Sequence, residues 1–580
     1  MRRLFIGFLL LIQAVGLSAR VWVYDYPDTL VYTQDLGRNF RSEVFAVTVK
    51  QDGQDYPSYV LADYNTFVGG SRQKMTNWNH STTFSFDGTV VIEVRKKDGS
   101  SMSGAEVYPL HHQIPFVLAD GGQVLQITLT QPRQLYVALP NMFHHPLFIF
   151  ADPPEINLPD PSASNVLTIT PGMTAAAVKN AIQTTSASII YFAPGLHQFG
   201  PLTDKTYPGY QLPVLSDKTY YLPGGACVIG SFLGQGASNV EIRGRGIISG
   251  CGKERLANAE SIPFNLIQLN GQGSNQLVEG ITMTNPPHFC ILSRGQMLTR
   301  NVKLFGWWHQ TDGWGGENGS QIFDSFMKVN DDYVKLYRAN QRVSNLVFYK
   351  QINGAAIQLG WNPYGQASNG YVSDIYVVAD ADKAPGGASN TAIINLKNNG
   401  GSTIQNLTFE NLYLEASVQR TLGIETDGGS VSNLLIRNVY LSGQNRSFNY
   451  LYGHGGGNIS GITLQNIQIN GQCMENDTDF NLRRQGGVSS VSYQSCSTTE
   501  LTVNPFAKLQ IRVNQDQVSI AHPHTGNWQL SIHDLQGQEL LMKKSTMLPI
   551  SWQAPHAGIY LLRLRNHQGE SMSQKIWIRE

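Results

Sequence analysis

A repeat constrains this chain more than any other feature. The units Ser344-Asn345-Leu346-Val347-Phe348, Ser373-Asp374-Ile375-Tyr376-Val377, Ile404-Gln405-Asn406-Leu407-Thr408-Phe409, Val431-Ser432-Asn433-Leu434-Leu435-Ile436 and Ile459-Ser460-Gly461-Ile462-Thr463-Leu464 recur along its middle. Their apolar positions Leu346, Ile375, Leu407, Leu434 and Ile462 step by 29, 32, 27 and 28 residues. A unit of that length cannot bury its own apolar face, so copies must stack. Each unit is a short strand beside an Asn or Gly corner, and none contains a helical period. The span therefore predicts a right-handed parallel β-helix, and at about 28 residues per rung residues 165–500 hold roughly a dozen rungs. Ala175-Ala176-Ala177-Val178 and Ala181-Ile182 predict one short helix over the open end of the solenoid, with Thr170 as its N-cap and Pro171 in its first turn.

The flanking segments read differently. Arg2 and Arg3 precede an apolar stretch from Leu4 to Leu17 and the small pair Ser18-Ala19, the pattern of a signal peptide over residues 1–19. From residue 20 to about 155, alternating runs such as Phe45-Ala46-Val47-Thr48-Val49 and Val90-Val91-Ile92-Glu93-Val94 end in turn signals, which predicts a β-sandwich. Asp152-Pro153-Pro154 and the Pro- and Ser-rich stretch after it mark a boundary near 155. The β-helix follows over 156–503. From 504 to 580 strands alternate again without the repeat period, which predicts a small, separately folding C-terminal β-sandwich. The class is all-β throughout.

Composition narrows the function. With 42 basic and 42 acidic residues the formal charge is zero, which gives no electrostatic case for nucleic acid or an anionic membrane surface. A neutral or weakly charged ligand fits better. The five cysteines have no metal-type spacing; Cys227 with Cys251 and Cys473 with Cys496 are candidate pairs in an oxidising compartment, with Cys290 left as a buried thiol.

Carboxylates carry the candidate chemistry. Thr311-Asp312-Gly313 places Asp312 19 residues before the first member of the pair Asp331-Asp332. On a parallel solenoid, residues one rung apart stack at about 4.8 Å, so the three converge on one face if the strand ends or bulges at the pair. Hydrolysis of a glycosidic bond needs a carboxylic acid to protonate the leaving oxygen and a carboxylate to activate water. A diagonal offset between rungs predicts the wider separation, about 6.5–9.5 Å, that suits inversion. Thr426-Asp427-Gly428 repeats the tripeptide without an acidic pair one rung on, so Asp427 serves as an internal control. Trp307, Trp308, Trp314 and Trp361 surround the cluster and offer rings on which sugars stack, Trp314 and Trp361 foremost. Lys335 faces the same side as Asp331, as a partner for a substrate hydroxyl or for the acid, and Asn330 adjoins the pair as a substrate contact. Neither a metal ion nor a cofactor is expected.

The motifs Gln310-Thr311-Asp312-Gly313, Val329-Asn330-Asp331-Asp332-Tyr333-Val334-Lys335 and Ile357-Gln358-Leu359-Gly360-Trp361 resemble the catalytic region of glycoside hydrolase family 49, the dextranase and isopullulanase family. Upstream, Tyr220-Tyr221-Leu222-Pro223-Gly224-Gly225-Ala226, Gly244-Arg245-Gly246-Ile247-Ile248-Ser249-Gly250 and Asn285-Pro286-Pro287 extend the resemblance to about residues 21–490. It implies an inverting endo-hydrolase of an α-glucan such as dextran, with Asp331 as general acid and Asp312 and Asp332 activating water. The last 75 or so residues resemble the C-terminal sorting domain of type IX secretion substrates, which implies outer-membrane secretion machinery as a partner and a secreted or cell-surface location. Three other readings compete. One is a polygalacturonase-like enzyme, although Gly453-His454-Gly455 lies more than 100 residues after Asp331. The others are a calcium-dependent, pectate-lyase-like eliminase and a non-catalytic polysaccharide-binding protein.

Overall fold

The structure, a computed structural model, describes residues 20–27, 40–64, 78–199, 211–250, 265–307, 310–362, 364–381, 390–397 and 400–496. It also describes the later strands at 510–514, 517–521, 528–533, 538–545, 550–555, 558–566 and 571–578. The proposed signal peptide, Cys251 and Trp308 lie outside the described residues.

Its centre is one parallel sheet system of 29 strands, from Val166–Ile169 to Val491–Gln494, wound into a β-helix. In the first half each strand pairs with the third strand after it, so a turn is built from three short strands. From Gln321–Lys328 onward two of the three merge into long bent strands such as Thr403–Leu414 and Ser430–Leu441, and pairing skips only one strand. Aliphatic positions fill the interior, among them Leu346, Ile375, Leu412, Val439 and Ile467. The bend is an Asn device: Asp374, Asn411, Asn438 and Asn466 all take positive φ between 51° and 57°. Short polar side chains tolerate that region, and here each amide also donates to the carbonyl or carboxylate of the rung before, at 2.9–3.0 Å.

Two sequence expectations need correction here. Ile375 pairs with Leu412, not Leu407, because the rung between them is longer: Asn369 meets Asn406, 37 residues on. The short helix spans Ala175–Thr184 with Thr174, not Thr170, as its N-cap, accepting from the Ala177 N–H at 3.3 Å. Gly172, at φ 87°, turns the chain before the helix begins. Val178 and Ile182 then cover the first rungs.

The N-terminal sandwich packs on the side of the solenoid, and its strand Leu147–Asp152 forms one part of that contact. Leu147, Ile149 and Ala151 point into the sandwich core, while Phe148 and Phe150 pack on Phe305, Phe326 and Tyr349 of the β-helix. Burial on both faces explains the continuous apolar run. Asp152 at its end accepts from Lys303 at 2.5 Å and pairs with Arg245 at 3.2 Å, all three at most 2% exposed. The two domains therefore share apolar core and buried charge.

Some of the C-terminal strands join the N-terminal sandwich, and Trp528–His533, Glu539–Ser545, Gly558–Asn566 and Ser571–Ile578 form a four-stranded sheet of their own. Gln510–Asn514, Gln517–Ala521 and Ile550–Gln553 continue one sheet of the N-terminal sandwich, with Arg512 opposite Leu118, and Val117 joins the core of the C-terminal strands. The sandwich edge at Phe116–Ala119 is thereby covered, as an exposed edge must be. Among the cysteines, Cys473 and Cys496 form a disulfide with Cα atoms 5.8 Å apart. Cys227, expected to pair with Cys251, is a free thiol buried among Tyr26, Phe40 and Ile247, and Cys290 is also free and buried. Among the described residues no helix is long and apolar enough to cross a membrane.

Candidate active site

The site is set by register between two neighbouring rungs. Trp314 pairs with Val334 and Gly315 with Lys335, which puts Asp312 directly beside Asp332. The Gly313 N–H donates to the Asp332 carbonyl at 2.9 Å and locks that alignment. Asp331 and Asp332 lie in the bend between strands Gln321–Lys328 and Val334–Lys335, so both side chains come together with Asp312. Gly354 permits the bend: a Cβ there, at φ 81°, would sit 1.9 Å from the Asp331 carbonyl carbon.

One carboxylate oxygen from each of Asp312, Asp331 and Asp332 lies within 4.8 Å of the others. That is closer than the diagonal offset expected from sequence, because Asp312 and Asp332 are in register. Lys335 makes such proximity tolerable. Its ammonium lies 2.7 Å from Asp312 Oδ1 and 2.6 Å from Asp332 Oδ2. Burial works against that charge, but the two carboxylates outweigh it and hold the lysine well above its usual pKa. The opposite side of Asp332 accepts from the Ala355 N–H at 3.1 Å and Asn390 Nδ2 at 3.3 Å. Asp312 Oδ2 faces His288 Nε2 at 3.8 Å.

The environments of Asp331 and Asp312 differ. Burial pushes Asp331 well above the usual carboxylate range, and the neighbouring Asp312 and Asp332 push it further. Asp312 is raised to about 6 by burial, with Lys335 pulling it down and Asp332 pushing it up. Asp331 is also the most open of the three, while Asp312 and Asp332 are 4% and 2% exposed. The geometry thus offers a protonated, accessible carboxyl beside two carboxylates bridged by a cation. Pairs of acids driven apart in this way are the usual basis for dividing acid and base roles. The three oxygens also have the spacing of a metal site. Lys335 already supplies the positive charge that a divalent ion would bring to two of them.

Other expected residues fall elsewhere. Trp314 is fully buried; its indole fills the solenoid interior and donates to Thr299 Oγ1 at 2.9 Å, so it offers no face to a sugar. Asn330 is 3% exposed and braces three rungs. It donates to the Trp307 carbonyl at 2.8 Å and accepts from the Asn353 N–H at 3.2 Å. Lys335, expected at a substrate hydroxyl or at the acid, lies between the carboxylates of Asp312 and Asp332. Trp361, half-buried one rung beyond Lys335, carries Lys397 5.5 Å from its ring centre. Asp427 is exposed and pairs with His454 two rungs past the Ile357–Trp361 strand, apart from the cluster.

Sequence reasoning missed three contributors. His288 directly follows the Asn285-Pro286-Pro287 motif and was findable there. Asn390 comes 58 residues after Asp332 with no local signal. Asp63 of the sandwich accepts from Asn285 Nδ2 at 2.7 Å and Trp307 Nε1 at 3.0 Å, which ties the N-terminal domain to the site wall.

A dextranase of Arthrobacter sp. strain CB-8 is 24% identical over 442 residues, which cover 64% of this chain and 67% of that protein. An isopullulanase of Aspergillus niger is 27% identical over 333 residues, covering 50% of this chain and 56% of its own. The chain thus spans about two thirds or less of the length of these curated relatives. Dex49A from Penicillium minioluteum superposes with a TM-score of 0.59 at 19% identity, over 83% of this chain and 99% of that one. No protein-family model matches the chain. By these similarities the chain is a relative of glycoside hydrolases and shares their β-helix fold.

The bridging lysine makes a direct prediction. In Lys335→Met the lost cation no longer lowers Asp312, so its carboxyl should titrate about 1–3 units above its parent value near 6. Carbon NMR of labelled aspartate across a pH series reads this, and an unmoved midpoint would contradict the bridge.

Proposed function

We propose that this chain is a secreted endo-hydrolase of α-glucan, with α-1,6-linked dextran as its first substrate, and that it acts with inversion. Asp331 is the general acid that protonates the departing glycosidic oxygen. Asp312 and Asp332 hold and deprotonate the attacking water, and Lys335 bridges that pair. The observation that carries this reading is the half-open, proton-retaining Asp331 beside a lysine-bridged carboxylate pair. The linkage rests on the names of the relatives. Spacing does not support inversion, since the carboxylates stand closer than the usual inverting range of about 6.5–9.5 Å. What supports it is that Asp332 has both oxygens engaged, by Lys335 and by Ala355 and Asn390, which suits a water-holding base better than a covalent nucleophile. Trp361 is the remaining candidate platform for a sugar face.

A calcium-dependent elimination fits less well, because Lys335 competes with any cation for the same carboxylates. Reducing-sugar release from dextran, pullulan and polygalacturonate, with and without chelator, separates these readings. Asp331→Asn should lower kcat on dextran by about 10²–10⁴, since an amide keeps the shape but cannot deliver the proton. Asp427→Asn should match the parent. Retention of more than about a third of parental kcat in Asp331→Asn would remove it from the mechanism, being far outside that range.

The C-terminal strands are proposed to direct export, on the strength of their strand pattern after the β-helix. Because they also cover the sandwich edge, deletion would disturb folding and export together. A fusion decides it: residues 504–580 joined to a foreign periplasmic protein should carry that protein to the cell surface of a host with a type IX system. Retention in the periplasm would refute the sorting role.

A further inference from the structure

A cleft of about 470 Å³ opens where the sandwich meets the β-helix, and none of the three aspartates lines it. Several of its side chains are only half used. Gln134 donates from Nε2 to the Asp324 carbonyl at 2.5 Å, while its Oε1 is buried without a partner. Asp152 receives Lys303 on Oδ2, and its Oδ1 is buried and unpaired. Asn301 accepts from the same ammonium on Oδ1 at 3.2 Å, which leaves Nδ2 unpaired. The Nε atoms of Arg133 and Arg300 are likewise buried without partners. Asp152 and Asn301 are 1% and 7% exposed, so their half-used atoms belong to built parts of the wall and not to surface side chains.

Folded proteins rarely leave buried polar groups unpaired, and here six residues of one lining do so, His112 through its Nδ1 among them. Two of the atoms need donors, Gln134 Oε1 and Asp152 Oδ1. Three need acceptors, and His112 Nδ1 takes either role by its tautomer. A hydroxyl serves both kinds. Charge argues against an anion, since Asp152, Glu279 and Asp324 oppose the two guanidiniums on the same lining. Pro153, Pro154 and Ile156 add an apolar wall of the kind on which the C–H face of a sugar ring rests. The volume falls within the range of small-ligand sites, about 300–1,000 Å³, which favour domain interfaces. We propose that this cleft is a second, non-catalytic carbohydrate site that holds a short segment of a neutral, hydroxyl-rich chain. Such a site raises the local concentration of polymer at the catalytic face.

The probe, isomaltotriose, rests on the α-glucan reading. Equilibrium dialysis against the Asp331→Asn protein, which turns it over about 10²–10⁴-fold more slowly, should give two molecules bound per chain. Gln134→Leu, added to that background, should reduce the number to one. Ile156→Arg should do the same; Ile156 is 66% exposed, so the change blocks the mouth without touching the core. One bound molecule that neither substitution displaces, or none at all, overturns the proposal. Dextran hydrolysis by the parent protein reports separately: activity with a single, undisplaced site sinks the cleft alone. Binding that Ile156→Arg abolishes in a protein inert to dextran keeps the cleft and sinks the α-glucan reading.

Discussion

The site depends on one alignment, the in-register stacking of Asp312 on Asp332 across adjacent rungs, with Lys335 bridging them. Two carboxylates so close repel unless a cation lies between or a proton joins them. Lys335 supplies the cation to this pair, which leaves Asp331 to take the proton. The parallel ladder fixes the positions through backbone bonds and owes nothing to substrate. Gly354 and the bend at Asn330 then bring the third carboxyl over the same spot.

Around that alignment the sandwich acts as a buttress. Its Asp63 holds Asn285 and Trp307, the Trp307 carbonyl holds Asn330, and Asn330 immediately precedes the acid pair. Lys328, fully buried, donates to Asn79 of the sandwich and lies 4.8 Å from the ring centres of Trp307 and Tyr349. Burial drives its pKa well down, against the pull of Asp63. A second buried group, Lys303 with Asp152 and Arg245, stands further along the same contact. Breaking one partner of such a group leaves an uncompensated charge, so the domains are held in a single relative position.

The solenoid and the three aspartates were legible in the sequence for the same reason. Stacking makes a spacing of one rung equivalent to contact, so Thr311-Asp312-Gly313 and Asn330-Asp331-Asp332 name neighbours in space. The same logic failed where a rung is longer, and it mispaired Ile375 with Leu407. Tryptophans near the motif were readable as aromatic but not as inward or outward: Trp314 turned into the core, while Trp361 stayed half-open. Asp63 and Asn390 were invisible, because 222 residues separate Asp63 from Asn285 and 58 separate Asn390 from Asp332, with no repeat to relate them. Asn330 was visible, but its burial and its bonds to Trp307 and Asn353 were not, since a buried amide that braces backbone looks in sequence like an open one.

The central claim is that Asp331 gives the proton while Asp312 and Asp332 deliver water, not a covalent bond. Proton NMR of the first product released from dextran tests it most directly, because the anomeric signals distinguish water attack from a glycosyl-enzyme intermediate. Water held by the lysine-bridged pair attacks once and must yield the β-anomer first, followed by slow mutarotation. An α-anomer in the earliest spectra would mean double displacement, and it would contradict the assignment of Asp312 and Asp332 as the water-activating pair.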